Sequence, residues 1–133
     1  MKNDFQTELT IRLAKSWNNL DLKFVKNNFA DDIVYESQLV FSSICGKQAV
    51  KSYFEGKFNS IKNELNKGLM SIKAEIATHP SATHPFIVLT QITHGEERRL
   101  SILLTVENSE IKRIDACIIP APETARLTGE IPK

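Results

Sequence analysis

Two periods divide the chain. In its front part apolar residues recur at helical spacing: Phe5, Leu9, Leu13 and Trp17 every four positions, with Lys15, Asn18 and Asn19 elsewhere on the wheel. This is an amphipathic helix, with Asn3 or Asp4 as its cap. Asp21 then caps a second, shorter helix that carries Leu22, Val25 and Phe29 inward and Lys23 and Lys26 outward. A strand follows over 33–41, Gly46 punctuates the chain, and Val50, Phe54, Phe58 and Ile61 draw a third helical stripe that the polar run KNELNKG ends.

From Leu69 the period changes to two. Met70, Ile72, Ala74 and Ile76 alternate with Ser71, Lys73 and Glu75, which predicts a strand with one face buried and one wet. FIVLTQIT and RRLSILLTVE are joined by the tight turn HGEE, and NSE leads on to EIKRIDACII, so the back of the chain reads as an antiparallel meander. The ending PAPETARLTGEIPK has three prolines and little apolar content, and it is expected to lie on the surface rather than add a ladder strand. The expected architecture is a single α+β domain over 1–133, with 120–133 a surface tail. Its order is α-α-β-α-β-β-β-β, three helices and a mostly antiparallel sheet.

Composition narrows what such a domain does. At 133 residues and 41% hydrophobic it is long enough for one core without staples. Lys plus Arg is 17 against 16 Asp plus Glu, so no net field gathers nucleic acid or an acidic membrane surface. The start MKNDFQTELT lacks the apolar run of a signal peptide and no apolar run nears membrane-spanning length, so a cytoplasmic protein is expected. Cys45 and Cys117 lie in no CxxC pair and are expected to be buried free thiols.

With these residues in view, the chain resembles the nuclear transport factor 2-like superfamily. The resemblance rests on W-N-x-x-D, then F-A-D-D, a strand, and G-K-x-A opening a helix, the pattern of its SnoaL-like and ketosteroid-isomerase-like members. It implies a curved sheet wrapped around helices to form a cone with an apolar cavity. Carried over by position, the isomerase base falls on Ser37, its oxyanion-binding Tyr at about Leu13, and the protonated Asp near Ile102. None of the three polar roles survives, and a serine without a neighbouring base does not take a proton from carbon at neutral pH.

The same alignment assigns faces. Ile33, Tyr35, Ser37 and Leu39 point into the cone with Ile114, Ala116 and Ile118, while Val34, Glu36, Gln38, Arg113, Asp115 and Cys117 point out. The expected pocket is therefore Leu13, Trp17, Tyr35, Ser37, Phe54, Ile102, Ile114 and Ile118. It suits an apolar or aromatic small molecule with one or two hydrogen-bonding groups, unless side chains fill the cone.

Glu36, Arg113 and Asp115 have two readings. They form a salt-bridge network on an outer, homodimer-forming face, or, resembling the limonene-epoxide-hydrolase arrangement, they polarise an epoxide or carbonyl in a SnoaL-like isomerase, lyase or hydrolase. A pure protein-interaction role for the outer face is a third possibility.

His79 and His84 lie in the turn THPSATHP and His94 in HGEE, roughly 26 Å of strand away, so no metal is expected, and no pattern calls for a cofactor. GKQAV has one glycine and no P-loop, and Lys51, Lys57 and Lys62 are interleaved with Glu55 and Glu64 as a solvated face.

Overall fold

The first apolar stripe forms helix α1, Phe5–Asn19, which buries Leu9, Leu13 and Trp17. The computed structural model describes residues 5–38 and 43–133, so the Asn3 or Asp4 cap falls outside the described residues. Asp21 caps as expected, its side chain accepting the Lys23 N–H, but the cap opens two 3₁₀ turns, Leu22–Phe24 and Lys26–Asn28. The expected second helix breaks at Val25, whose φ of −138° lies outside the helical range. Its inward set is nevertheless right: Leu22, Val25 and Phe29 are all buried.

Strand β1 is Phe29–Ser37 and begins four residues before the expected strand; Leu39 and the end of that strand, 39–42, lie outside the described residues. The two-residue strand β2, Ile44–Cys45, folds back on it, and Gly46, at φ 97°, turns the chain into helix α2, Lys47–Asn66. That left-handed bend is available to glycine without strain. At the far end of α2, Gly68 at φ 71° closes a Schellman motif, with Leu69 N–H bonded to the Glu64 carbonyl and Gly68 N–H to that of Leu65.

The meander is β3, Met70–Thr78; β4, Phe86–Thr93; β5, Glu96–Glu107; and β6, Glu110–Cys117. His94–Gly95 and Asn108–Ser109 both have positive φ, as two-residue hairpin turns of type I′ require. A seventh short strand, β7, Arg126–Leu127, completes a sheet of order β2-β1-β6-β5-β4-β3-β7. The sheet is curved and unclosed, antiparallel throughout except where β1 runs parallel to β6.

Lys112 is a bulge in β6, because Val106 pairs with Ile111 while Thr105 pairs with Arg113. The extra residue lets Ile111 and Ile114, three apart, both face the core, and it sharpens the bend of the sheet.

α1 and α2 fill the concave side. Their stripes meet Ala74, Ile76, Ile87, Leu89, Ile102, Leu104, Ile111 and Ile114 in one core. A second, smaller cluster of Ala77, Phe86 and Val88 lies on the opposite face, packed against Ala82, Leu103 and Ala125. Here the structure departs from the expectation that the tail adds no ladder strand. Ser101 Oγ donates to the Pro120 carbonyl at 2.5 Å, Pro120 and Pro122 are buried, and β7 pairs with Ala77 and Thr78 of β3. The tail covers apolar surface that the sheet leaves on its outer side, which explains why a proline-rich segment docks at all.

Candidate functional site

Leu13, Trp17, Tyr35, Phe54, Ile102 and Ile114 converge in the main core and are at most 4% exposed. Ser37 sits at the end of β1, partly buried. Ile118 departs from its expected inward position: β6 ends at Cys117, so strand alternation no longer governs the next residue, and Ile118 is 55% exposed.

The centre is aromatic. Trp17 meets Phe58 edge-on at 5.0 Å and Phe54 at 6.0 Å; Phe54 meets Tyr35 at 5.1 Å, and Tyr35 meets Tyr53 at 4.9 Å. The edge-to-face geometry of the first three pairs suits the ring quadrupoles, while Tyr35 and Tyr53 are tilted at 32°, and the rings lie between α1, α2 and β1. Tyr53 was not singled out from the sequence. It stands beside Phe54 and three residues after Val50, on the flank of the third stripe, and that position was a legible signal.

The polar groups of this interior are few. The Tyr35 phenol lies close enough to Tyr53 and Ser37 for both to act on its ionisation. Burial, then the neighbouring Tyr53, raises the Tyr35 pKa well above its ordinary value, with Ser37 opposing, so the phenol stays protonated at neutral pH. Trp17 Nε1 is buried without a hydrogen-bond partner. Among the described residues, Glu75 is the one charged side chain that is buried, and it belongs to the outer face beside Val88, ion-paired with Lys73 at 3.2 Å. The alternation that made position 75 wet thus fails.

β1 and β6 bring Glu36, Arg113 and Asp115 together, Glu36 opposite Asp115 and Val34 opposite Arg113. Arg113 donates to the Glu36 carboxylate and, at 3.0 Å, to Asp115. These hydrogen bonds, Asp115 first, push the guanidinium pKa further up. All three lie on the outer face and are partly exposed, with the buried Ile114 and Ala116 pointing the other way. Beside them Lys112 donates to Asp32 at 3.0 Å, holding that exposed carboxyl below its usual range.

The cysteines are free, but Cys45 is exposed rather than buried, because its two-residue strand leaves it opposite Val34 on the outer face. Cys117, half-buried, donates its thiol to the Ile119 carbonyl, and burial raises its pKa. His79 accepts the Ser81 N–H at Nδ1 and bonds Thr124 Oγ1 through Nε2, tying the β3–β4 turn to the tail. No three His, Cys, Asp or Glu side chains come together as a metal site among the described residues. No helix among them is long and apolar enough to cross a membrane.

No protein-family model matches the sequence, and no curated protein matches it. Solved structures do match its shape. A nuclear transport factor 2-like protein of unknown function from Mesorhizobium loti superposes with a TM-score of 0.66 at 13% identity, over 88% of this chain and 94% of that one. A steroid delta-isomerase from Pseudomonas aeruginosa gives 0.64 at 8% identity, over 86% and 80%. An LEH-like epoxide hydrolase of M. tuberculosis gives 0.54 at 16% identity, over 84% and 83%.

Proposed function

Because the chain has the nuclear transport factor 2-like cone fold, we propose that it is a small-molecule-binding module that takes an apolar or aromatic ligand into the cone without ketosteroid-isomerase chemistry. The observation that carries this reading is a charge-free interior into which hydrogen-bonding groups are built: the Tyr35–Ser37–Tyr53 cluster and the unpartnered Trp17 Nε1. An unpaired buried donor is uncommon in a core that only has to pack, and a ligand acceptor satisfies it.

The interior offers no carboxylate or imidazole for proton transfer among the described residues, and Tyr35 is held neutral. Entry runs past the two partly buried members of the cluster, Ser37 and Tyr53, with the Tyr53 ring swinging aside. The alternative, an isomerase, lyase or hydrolase using Arg113 and Asp115, has less support, because those groups neutralise one another on the far side of the sheet.

Titration with a panel of neutral apolar fluorescent probes tests this. The wild type is expected to bind saturably, Ser37→Leu to bind roughly tenfold or more weakly, and Tyr35→Phe to lose preference for probes bearing a hydrogen-bond acceptor. A wild type that takes up none of the panel overturns the reading in favour of a filled core.

A further inference from the structure

A second recess lies outside the cone. The turn that carries Leu20, Asp21, Leu22, Lys23 and Lys26 stands off from α2 and leaves a cleft of about 360 Å³, whose other wall is Glu55, Phe58, Asn59 and Lys62. The volume falls in the range of small-ligand sites. Beneath its mostly polar lining lie the buried side chains of Leu20, Leu22 and Phe58.

The charges around it are unequal in a specific way. Asp21 is already engaged: one carboxylate oxygen accepts the Lys23 N–H at 3.0 Å and the other faces Lys23 Nζ at 3.8 Å. Lys26, partly buried, and Lys62, exposed, have no carboxylate partner among the described residues. Glu55 is the other acid of the cleft and has no ion-pair partner among the described residues, so Lys26 on one wall and Lys62 on the other line the cleft together with one free carboxylate and the polar Asn59. Lys23 also lines this wall, with its Nζ beside the Asp21 carboxylate and over the Phe24 ring at 5.2 Å.

From this arrangement we propose that the cleft binds a small organic anion, a phosphate or carboxylate headgroup held between Lys26 and Lys62 with its body against the Phe58 side. Ammonium groups are compact point charges that suit a compact anion. A nucleic-acid strand is a poor fit, because Glu55 and Asp21 interrupt the cationic surface in both directions. The cleft opens to solvent outside the cone, between α2 and the turn after α1, and shares Phe58 with the aromatic core.

Amide NMR shifts on adding phenyl phosphate, inorganic phosphate or benzoate to the full chain at low salt test it. Shifts should cluster at Lys23, Lys26, Asn59 and Lys62 and weaken with added salt. Lys26→Gln with Lys62→Gln should reduce affinity about tenfold, as the loss of two charge-assisted contacts implies, while Lys47→Gln with Lys67→Gln leaves it unchanged. Stronger binding of phenyl phosphate than of phosphate assigns the apolar side chains beneath the lining a role, and stronger binding than of benzoate selects the phosphate class. Equal affinity in the Lys26/Lys62 variant, or shifts scattered over Lys47, Lys51, Lys57 and Lys67, overturns the proposal.

Discussion

The two faces of the sheet come from the same alternating strands but bury their side chains for different reasons. On the concave face, Ile76, Ile87, Ile102 and Ile114 meet helices whose own stripes were selected to cover them. On the convex face, burial depends on position across the sheet. Over β3 and β4, Ala77, Phe86 and Val88 are buried because the tail lies over them, whereas over β1 and β6 the face is an open row of charge, Glu36, Arg113 and Asp115. Alternation decides which way a side chain points; the element standing opposite decides whether it is dry.

The sharpest way to break this comparison is to remove one large side chain from each face. Phe54→Ala should cost about 3–5 kcal/mol, since α2, α1 and β1 cannot collapse together into the space. Phe86→Ala should cost toward the lower end of that range, because a tail held by few contacts can settle into the hole. Equal losses in denaturant melts would mean that the tail is as rigid a lid as the helices.

A pH titration probes the concave side alone. The Tyr35 pKa is raised in the folded state, so its contribution is fully present below about pH 10 and is lost as pH rises beyond that, by at most about 1.4 kcal/mol per pH unit. Tyr35→Phe should therefore lose less stability than the wild type between pH 10 and 11. Parallel losses would mean that the phenol is solvated.

The smallest effect belongs to the open half of the convex face. Arg113→Ala should cost under about 1 kcal/mol, as partly exposed ion pairs do. A larger cost, accompanied by a light-scattering mass of twice 15.0 kDa, would mean that a second copy covers this half.

Much of this was legible in the sequence where one periodicity governed one partner. The stripes of α1 and α2 and the meander with its tight turns came from spacing, and the inward Tyr35 and Ile114 from the family resemblance carried along the strands by alternation. The second helix, Glu75, Ile118, Cys45 and the tail fail where pattern stops governing: Ile118 lies past the end of β6 and Cys45 on a two-residue strand. Val25 leaves helical geometry, Glu75 lies beside the buried Val88 of the next strand, and β7 finds β3 some fifty residues upstream. The Glu36–Arg113–Asp115 group shows the same limit from the other side: the residues were named, but only the parallel β1–β6 pairing makes them neighbours.

The margin of β3 has a consequence for the chain's life before it is folded. Asn18 satisfies both backbone groups of Ala74, and its amide also donates to the Pro132 carbonyl; Thr128 and Glu130 satisfy those of Ile76; β7 pairs with the last two residues. From Ala74 to Thr78, a finished molecule therefore offers a poor template for strand addition by another chain. The part of the guard that covers Ile76–Thr78, however, is synthesised long after the strand it protects: Thr128 lies 52 residues beyond Ile76. A ribosome-bound or partly folded chain presents that end of β3 unguarded until segment 126–132 has emerged and docked, and in that interval aggregation competes with folding.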